Sequence, residues 1–174
     1  MNRNAVIGFV SLASAFCLPA LPANSAESCA ELYQRAQAAG KDLAALEGVF
    51  REAQATTDCT PDFRRGLGRK VAVAITALVD RSVKSGARLS EFKGELKDSL
   101  NYHRLWMVLA TLGDLAADEK DHAEASRRYQ EALEAIDDKL MTKRAPNEKV
   151  IRTIVKKAED ARLLSASYVP VPKT

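Results

Sequence analysis

Apolar residues recur every three or four positions along most of this chain, which is the spacing that places side chains on one face of an α-helix. The longest stripe lies within residues 61–83 and comprises Phe63, Leu67, Val71, Ala74 or Ile75, and Leu78. The only run of β-branched residues, 71–75, lies inside this stripe, and no segment shows the strict alternation of a half-buried strand. Alanine, the residue with the highest helix propensity, is abundant throughout. The pattern therefore predicts an all-α fold.

Polar start and stop signals divide this pattern into helices. Ser28 and Glu31 have the spacing of a capping box, in which each side chain bonds the backbone of the other, and Gly40 supplies a left-handed stop. A second helix is predicted to start near Asp42, and a third at Thr60, which a proline at the first helical position follows. Helices joined by such short connections pack as antiparallel hairpins.

The second half of the chain carries the same signals. Residues 85–86, serine and glycine, stop the third helix, and a shorter fourth helix is predicted over residues 90–100. After a linker at 138–145, Pro146 precedes a final helix that runs to about Ala166 with one apolar and one charged face. A helix of this kind suits the C-terminal cap of a helical repeat array.

Residues 1–26 have the pattern of a bacterial signal peptide. A positive residue, Arg3, precedes the apolar residues 5–18, and small residues follow. We predict cleavage after Ala26, with Ala23 as the alternative site; an uncleaved anchor or a buried N-terminal helix is the competing interpretation. Export would place the mature chain in the periplasm or outside the cell, and no later segment has the length and apolarity of a transmembrane helix.

Two cysteines remain once the predicted signal peptide is removed together with Cys17. Cys29 lies at the start of the first helix, and Cys59 lies just after the end of the second. Because an antiparallel hairpin brings these two ends together, we predict a Cys29–Cys59 disulfide, as suits an oxidising compartment. A redox-active pair is the alternative, although the Cys-x-x-Cys spacing typical of such pairs is absent from the sequence.

The most specific pattern lies in residues 106–139. Small and bulky residues stand there at fixed spacings: Leu109, Leu112, Gly113, Ala116, Ala125, Tyr129 and Ala132. This arrangement resembles a tetratricopeptide (TPR) repeat, which implies two antiparallel helices that expose a peptide-binding face. Two positions depart from the repeat, because Ala116 stands where tyrosine is usual and Asp137 where proline is usual.

The resemblance assigns a role to the matching residues. Leu109 and Leu112, one turn apart, are expected to face the partner helix. Gly113 and Ala125 are expected to let the two helices approach closely, with Tyr129 filling the seam between them. In TPR proteins the first helix of a repeat lines the ligand groove, which here implies the following partner-binding positions: Met107, Ala110, Asp114 and Ala117.

These patterns together predict a short TPR-like α-solenoid of about three helical hairpins and a C-terminal capping helix over residues 27–166. An extended tail with two prolines is predicted at 167–174. The segment from Trp106 into this tail also resembles the helical N-terminal region of bacterial exported TPR proteins that continue into an OmpA-like peptidoglycan-binding domain. That resemblance implies a second role, as a structural accessory of the cell envelope.

Composition and charge argue against several classes of function. Lys and Arg number 26 against 23 Asp and Glu, and a formal charge of +3 is too small to indicate nucleic-acid binding. The only histidines, His103 and His122, lie on different elements without metal-ligand spacing, and no Ser-His-Asp or Cys-His set is suggested. We therefore expect no catalytic residue, metal or cofactor, and we do not predict an enzyme.

Four cations open the third helix: Arg64, Arg65, Arg69 and Lys70. The helix dipole disfavours positive charge at this end by about 0.3–1 kcal/mol per residue. Two interpretations are open. The cluster is either a patch for an acidic partner or anionic lipid headgroups, or a solvated face with acidic neighbours such as Asp62.

The sequence thus predicts an exported periplasmic adaptor whose helical-repeat surface binds a protein or peptide partner. A contiguous groove beside Met107 and Asp114 would favour this adaptor. A flat, evenly charged surface would favour the structural accessory, and a deep pocket around either histidine would favour an enzyme.

Overall fold

The structure, a computed structural model, describes residues 28–136 and 146–167. Within these ranges all regular structure is helical, which confirms the predicted all-α class. Seven α-helices and one 3-10 helix follow one another: α1 Cys29–Ala38, α2 Leu43–Ala55, α3 Pro61–Lys84, the 3-10 helix Leu89–Phe92, α4 Lys93–Tyr102, α5 Trp106–Asp118, α6 His122–Ile136 and α7 Glu148–Ser167. None of these helices is long and apolar enough to cross a membrane. The predicted signal peptide at 1–26, the linker at 138–145 and tail residues 168–174 lie outside the described residues.

The helix boundaries follow local capping chemistry. The Ser28 N–H donates a 2.8 Å hydrogen bond to the Glu31 carboxylate, and the Glu31 N–H donates to the Ser28 hydroxyl, so the predicted capping box is formed. Gly40 adopts a φ of 57°, the left-handed conformation expected at this stop. Thr60 caps α3 as predicted. The helix predicted over 90–100 instead begins as the 3-10 helix and continues as α4 for two residues beyond the predicted end.

Three hydrophobic cores follow one another along the chain. The first lies between α1, α2 and α3 and includes Leu32 and Leu46. The second lies between α3, α4 and α5 and includes Leu96 and Val108. The third lies between α5, α6 and α7 and includes Tyr129. Because α3 and α5 each contribute to two cores, they connect the three parts of the molecule.

Each helix packs mainly against its neighbours in the chain. Helix α5 packs on α6 and α6 packs on α7, while α3 packs on α2 and on α4. Helix α4 also contacts α5, which links the middle of the chain to the α5–α6 hairpin. The α5–α6 hairpin therefore lies between α4 and α7 and buries apolar surface against both.

The Cys29–Cys59 pair closes the open end of the α1–α2 hairpin, as predicted. The two Sγ atoms lie at bonding distance, and the Cα atoms are 5.1 Å apart. The carboxylate of Asp58 also accepts a 3.4 Å hydrogen bond from the Cys29 N–H. Two contacts therefore hold the start of α1 against the segment that follows α2.

Cations at the start of α3 cap the C-termini of the two preceding helices. Arg64 donates from Nε to the Ala53 carbonyl at 2.9 Å and from its guanidinium to the Thr56 carbonyl at 2.6 Å. Lys70 Nζ donates to the Ala36 carbonyl at 3.3 Å. Carbonyls at helix C-termini lack intrahelical partners and carry partial negative charge. Arg64 and Lys70 thus bind carbonyls at helix ends. Neither the patch nor the solvated-face interpretation of the sequence included this role.

Candidate functional site

Gly113 and Tyr129 meet where α5 and α6 cross. A Cβ atom on Gly113 would lie 2.6 Å from Cε1 of Tyr129, which is closer than real side chains approach. The Tyr129 side chain is buried in the third core. Only glycine therefore permits this separation between the two helices, as the TPR resemblance implies.

The other predicted packing residues are also buried, but they do not all face the same helix. Leu109 lies in the third core, and this core also holds Ala125, Tyr129 and Ala132. Leu112 lies instead in the second core, against α3 and α4. Since residues three apart are displaced by about 60° around a helix, the two leucines project to different neighbours. The expectation that both face α6 is wrong for Leu112.

A polar network joins α5, α6 and α7 through Asp114. The Tyr129 hydroxyl and Lys157 Nζ each donate a 2.6 Å hydrogen bond to Oδ1 of Asp114. Lys157 Nζ also lies 5.8 Å from the centroid of the Tyr129 ring. Burial of the phenol, with the hydrogen bond to Asp114 next, raises the pKa of Tyr129 well above its usual value. Asp114 is therefore a structural junction and already has two donors.

An open depression of about 480 Å³ lies beside this network, and we call it the α5–α7 cleft. Each helix contributes residues at helical spacing to its lining: Asp114, Ala117 and Asp118 from α5, and Lys157, Asp160 and Leu164 from α7. Leu164 is 52% exposed. The cleft thus offers an apolar side chain next to charges of both signs.

The four predicted partner-binding positions separate into two groups. Asp114 and Ala117 line the α5–α7 cleft. Met107 lies outside this lining and is 40% exposed, and Ala110 packs half-buried against the third core. Of the four predicted positions, only the two in the second half of α5 therefore lie beside α7.

His122 lies at the edge of the α5–α7 cleft, whereas His103 is buried at the end of α4. The Asp121 carboxylate caps α6 by accepting a 3.1 Å hydrogen bond from the Glu124 N–H. The Glu124 carboxylate accepts hydrogen bonds from Arg127 and Arg128. Among the described residues, no group of three or more His, Cys, Asp and Glu side chains is arranged to hold a metal ion.

A second depression, of about 390 Å³, lies between α2, α3 and α4, and we call it the α3 cleft. Helix α3 supplies an apolar floor of Ile75, Leu78 and Val79. Carboxylates stand on both walls: Glu47 on α2, and Glu95 and Asp98 on α4. Leu78 was expected on the buried stripe of α3 but is 40% exposed, because α2 and α4 leave this part of the helix uncovered.

No family model, no curated protein and no solved structure matches this chain. The resemblance to a TPR repeat is therefore an expectation from the sequence of α5 and α6. The contact between Gly113 and Tyr129 gives a packing reason for both residues.

Proposed function

We propose that this chain is an exported adaptor of the bacterial envelope, without catalytic activity, that binds a peptide segment of a protein partner in the α5–α7 cleft. The observation that carries the proposal is the exposure of Leu164 next to Asp118 and Asp160. An apolar anchor beside hydrogen-bonding groups is the usual composition of a peptide site. The cleft's 480 Å³ lies in the range of about 300–1,000 Å³ that ligand pockets occupy.

The order of helix packing supports a short TPR-like solenoid. Three hairpins, α1–α2, α3–α4 and α5–α6, follow one another and α7 covers the last, with each core shared between successive helices. In such an array each repeat borrows buried surface from its neighbours. On this arrangement α5 and α7 are adjacent first helices, and the surface between them is the one that TPR proteins use for ligands.

The charged residues of the α5–α7 cleft have different roles. Asp114 holds the cleft in shape, because Tyr129 and Lys157 already occupy its Oδ1. Asp118 and Asp160 are exposed and are in no ion pair within the described residues. These two carboxylates are available to backbone N–H groups or to a basic side chain of the peptide, while Leu164 contacts its apolar residue.

The proposed location outside the cytoplasm has two supports. Residues 1–26 have the signal-peptide pattern, and Cys29 and Cys59 are paired. Structural disulfides persist in oxidising compartments such as the bacterial periplasm. The proposal therefore places the partner in the periplasm or at the cell surface.

Site-specific photo-crosslinking in the periplasm tests the proposal. A photo-reactive amino acid replaces Leu164 in one variant and Val155 in the other, because both are exposed apolar residues of α7 but only Leu164 lines the cleft. We expect one protein to be captured through position 164 and not through 155, and a peptide from its crosslinked segment to bind the purified chain. Equal capture at both positions, or none, would contradict the proposal.

One observation favours the alternative function, a structural accessory of the envelope. Helix α6 carries a ladder of partly exposed ion pairs in which Arg127 and Arg128 each bond Glu124 and Glu131. Such a mixed and internally neutralised surface offers little to a specific partner. This role predicts a loss of envelope integrity on deletion of the protein without a partner captured at position 164.

A further inference from the structure

The α3 cleft is a separate concave surface, formed by helices that precede those of the α5–α7 cleft in the chain. Its floor runs along α3 from Ile75 to Ser82, about two helical turns or roughly 10 Å. Leu78 at its centre leaves 40% of its surface exposed to water. Exposed apolar surface inside a concavity, rather than on a convex face, is typical of a docking site.

The charge lining this cleft has a single sign. Glu47 stands on the α2 wall, and Glu95 and Asp98 stand on the α4 wall, whereas no Lys, Arg or His of the described part of the chain lines the cleft. Arg51, one turn beyond Glu47 on α2, lies outside the lining. Within the described residues, no ion pair neutralises Glu95 or Asp98, although ion pairs are frequent elsewhere on this surface.

Tyr102 fixes one corner of the cleft. Its hydroxyl donates a 3.0 Å hydrogen bond to Oε1 of Glu47, which joins the α2 wall to the end of α4. Its ring packs edge-on against Phe50 with centroids 5.2 Å apart. Glu47 is therefore held in place by the fold, whereas Glu95 and Asp98 have no such bond to any described residue and are available to a ligand.

We propose that the α3 cleft binds a cationic amphipathic helical segment of a protein partner. An aliphatic side chain of that segment packs on Leu78, and its lysine or arginine residues face Glu95 and Asp98. An amphipathic helix laid into an apolar groove is a recurrent mode of peptide recognition, and opposite charges at the rim set its orientation. This site shares no residue with the α5–α7 cleft, so it goes beyond the function proposed above.

Fluorescence anisotropy with defined peptides tests this inference on the exported, disulfide-bonded chain. The probe is a labelled helix of about 15 residues with leucine at positions i, i+3, i+4 and i+7 and lysine at the others. Its counterpart has glutamate in place of every lysine. We expect saturable binding of the lysine peptide that weakens with rising salt, and no binding of the glutamate peptide. No binding of the lysine peptide, or equal binding of both, would overturn the inference.

Matched variants separate the α3 cleft from the remaining surface. The double substitution Glu95→Gln and Asp98→Asn should weaken binding about tenfold. Its control, Asp80→Asn with Glu159→Gln, removes the same charge from exposed positions outside the cleft and should leave the affinity unchanged. Equal effects of the two doubles would show non-specific attraction and refute the site.

The floor of the cleft requires its own variant. Leu78→Gln keeps the size of this exposed side chain and the net charge but removes its apolar surface, and we expect at least about fivefold weaker binding. Circular dichroism establishes that each variant is folded. Unchanged affinity in Leu78→Gln would contradict docking on α3. Displacement of the peptide by octylammonium at equal concentration would show a site for small cations and would also overturn the assignment.

Discussion

The hydroxyl of Tyr129 on α6 donates a 2.6 Å hydrogen bond to Oδ1 of Asp114 on α5. The same ring occupies the space that a side chain at position 113 would need. Tyr129 thus fixes both the separation of the two helices and the position of the carboxylate to which Lys157 of α7 binds. The shape of the α5–α7 cleft therefore depends on Tyr129 together with Asp114 and Lys157.

Tyr129→Phe should destabilise the chain by about 1–2 kcal/mol, because a partly buried hydrogen bond to a charged acceptor is lost while the ring is kept. Urea unfolding at neutral pH measures this change. An unchanged free energy of unfolding would show that Lys157 alone holds Asp114.

The same variant should also change how stability depends on pH. The pKa of Tyr129 is higher in the folded chain than in the unfolded chain, where it is about 10. The stability that this proton confers is therefore fully present below pH of about 10 and is lost as the pH rises through the folded pKa. Tyr129→Phe should lose less stability than the wild type between about pH 9 and about pH 11 in urea unfolding. Burial also raises the pKa of Tyr102, which contributes to the pH dependence of stability in both proteins alike. Parallel curves of stability against pH for the two proteins would therefore contradict the prediction.

Gly113→Ala should destabilise the chain by about 1–2 kcal/mol, because the clash with Tyr129 outweighs the better helix propensity of alanine. Gly48→Ala is the matched control, since Gly48 lies within α2 and a Cβ there meets nothing within 4 Å. We expect that control to be neutral or to stabilise by up to about 1 kcal/mol. Thermal and urea unfolding should therefore show a loss of stability in Gly113→Ala that Gly48→Ala does not show. Equal stabilities of the two variants would refute the close contact.

Loss of the Cys29–Cys59 disulfide should destabilise the chain by about 3–4 kcal/mol on the chain-entropy model for a loop of this length. The sequence separation of the two residues is 30, and both lie at the open end of one hairpin. Urea unfolding of the double Ser variant, compared with the oxidised protein, measures the effect. Two reactive thiols in the exported protein would contradict the bridge itself.

Arg64→Met should destabilise the chain by about 1–2 kcal/mol, because the Ala53 and Thr56 carbonyls lose their donors while the aliphatic stem is kept. Arg65→Met is the control, because Arg65 is exposed and makes no such bond to the residues that the structure describes. We expect its effect to stay within about 0.5 kcal/mol. Equal effects in urea unfolding would favour the solvated-face interpretation of both residues.

Local chemistry explains why the helix boundaries could be predicted. The capping box at Ser28, the left-handed Gly40 and the Thr60 cap each depend only on residues one turn away. The Cys29–Cys59 pairing followed from the same information, because two helices and a short turn determine which ends meet.

Relationships between distant helices could not be predicted in this way. Lys157 and Asp114 form a hydrogen bond although they are 43 positions apart in the sequence. Leu112 faces α4 rather than α6, because both of these helices pack against α5. The exposure of Leu78 depends on how α2 and α4 sit on α3, which periodicity along one helix does not determine. For that reason the sequence pattern pointed to two residues that line the α5–α7 cleft, Asp114 and Ala117. It did not predict that α7 forms the other side of that cleft, and it did not predict the α3 cleft.

The central claim is that the α5–α7 cleft binds a peptide through Leu164. Its most direct test is the affinity, by titration calorimetry, of the peptide captured through position 164 for the Leu164→Ser and Val155→Ser variants. Both substitutions remove an exposed apolar side chain from α7, where Leu164 is 52% and Val155 is 46% exposed. We predict about tenfold weaker binding for Leu164→Ser and unchanged binding for Val155→Ser. Equal affinities for the two variants would contradict the claim.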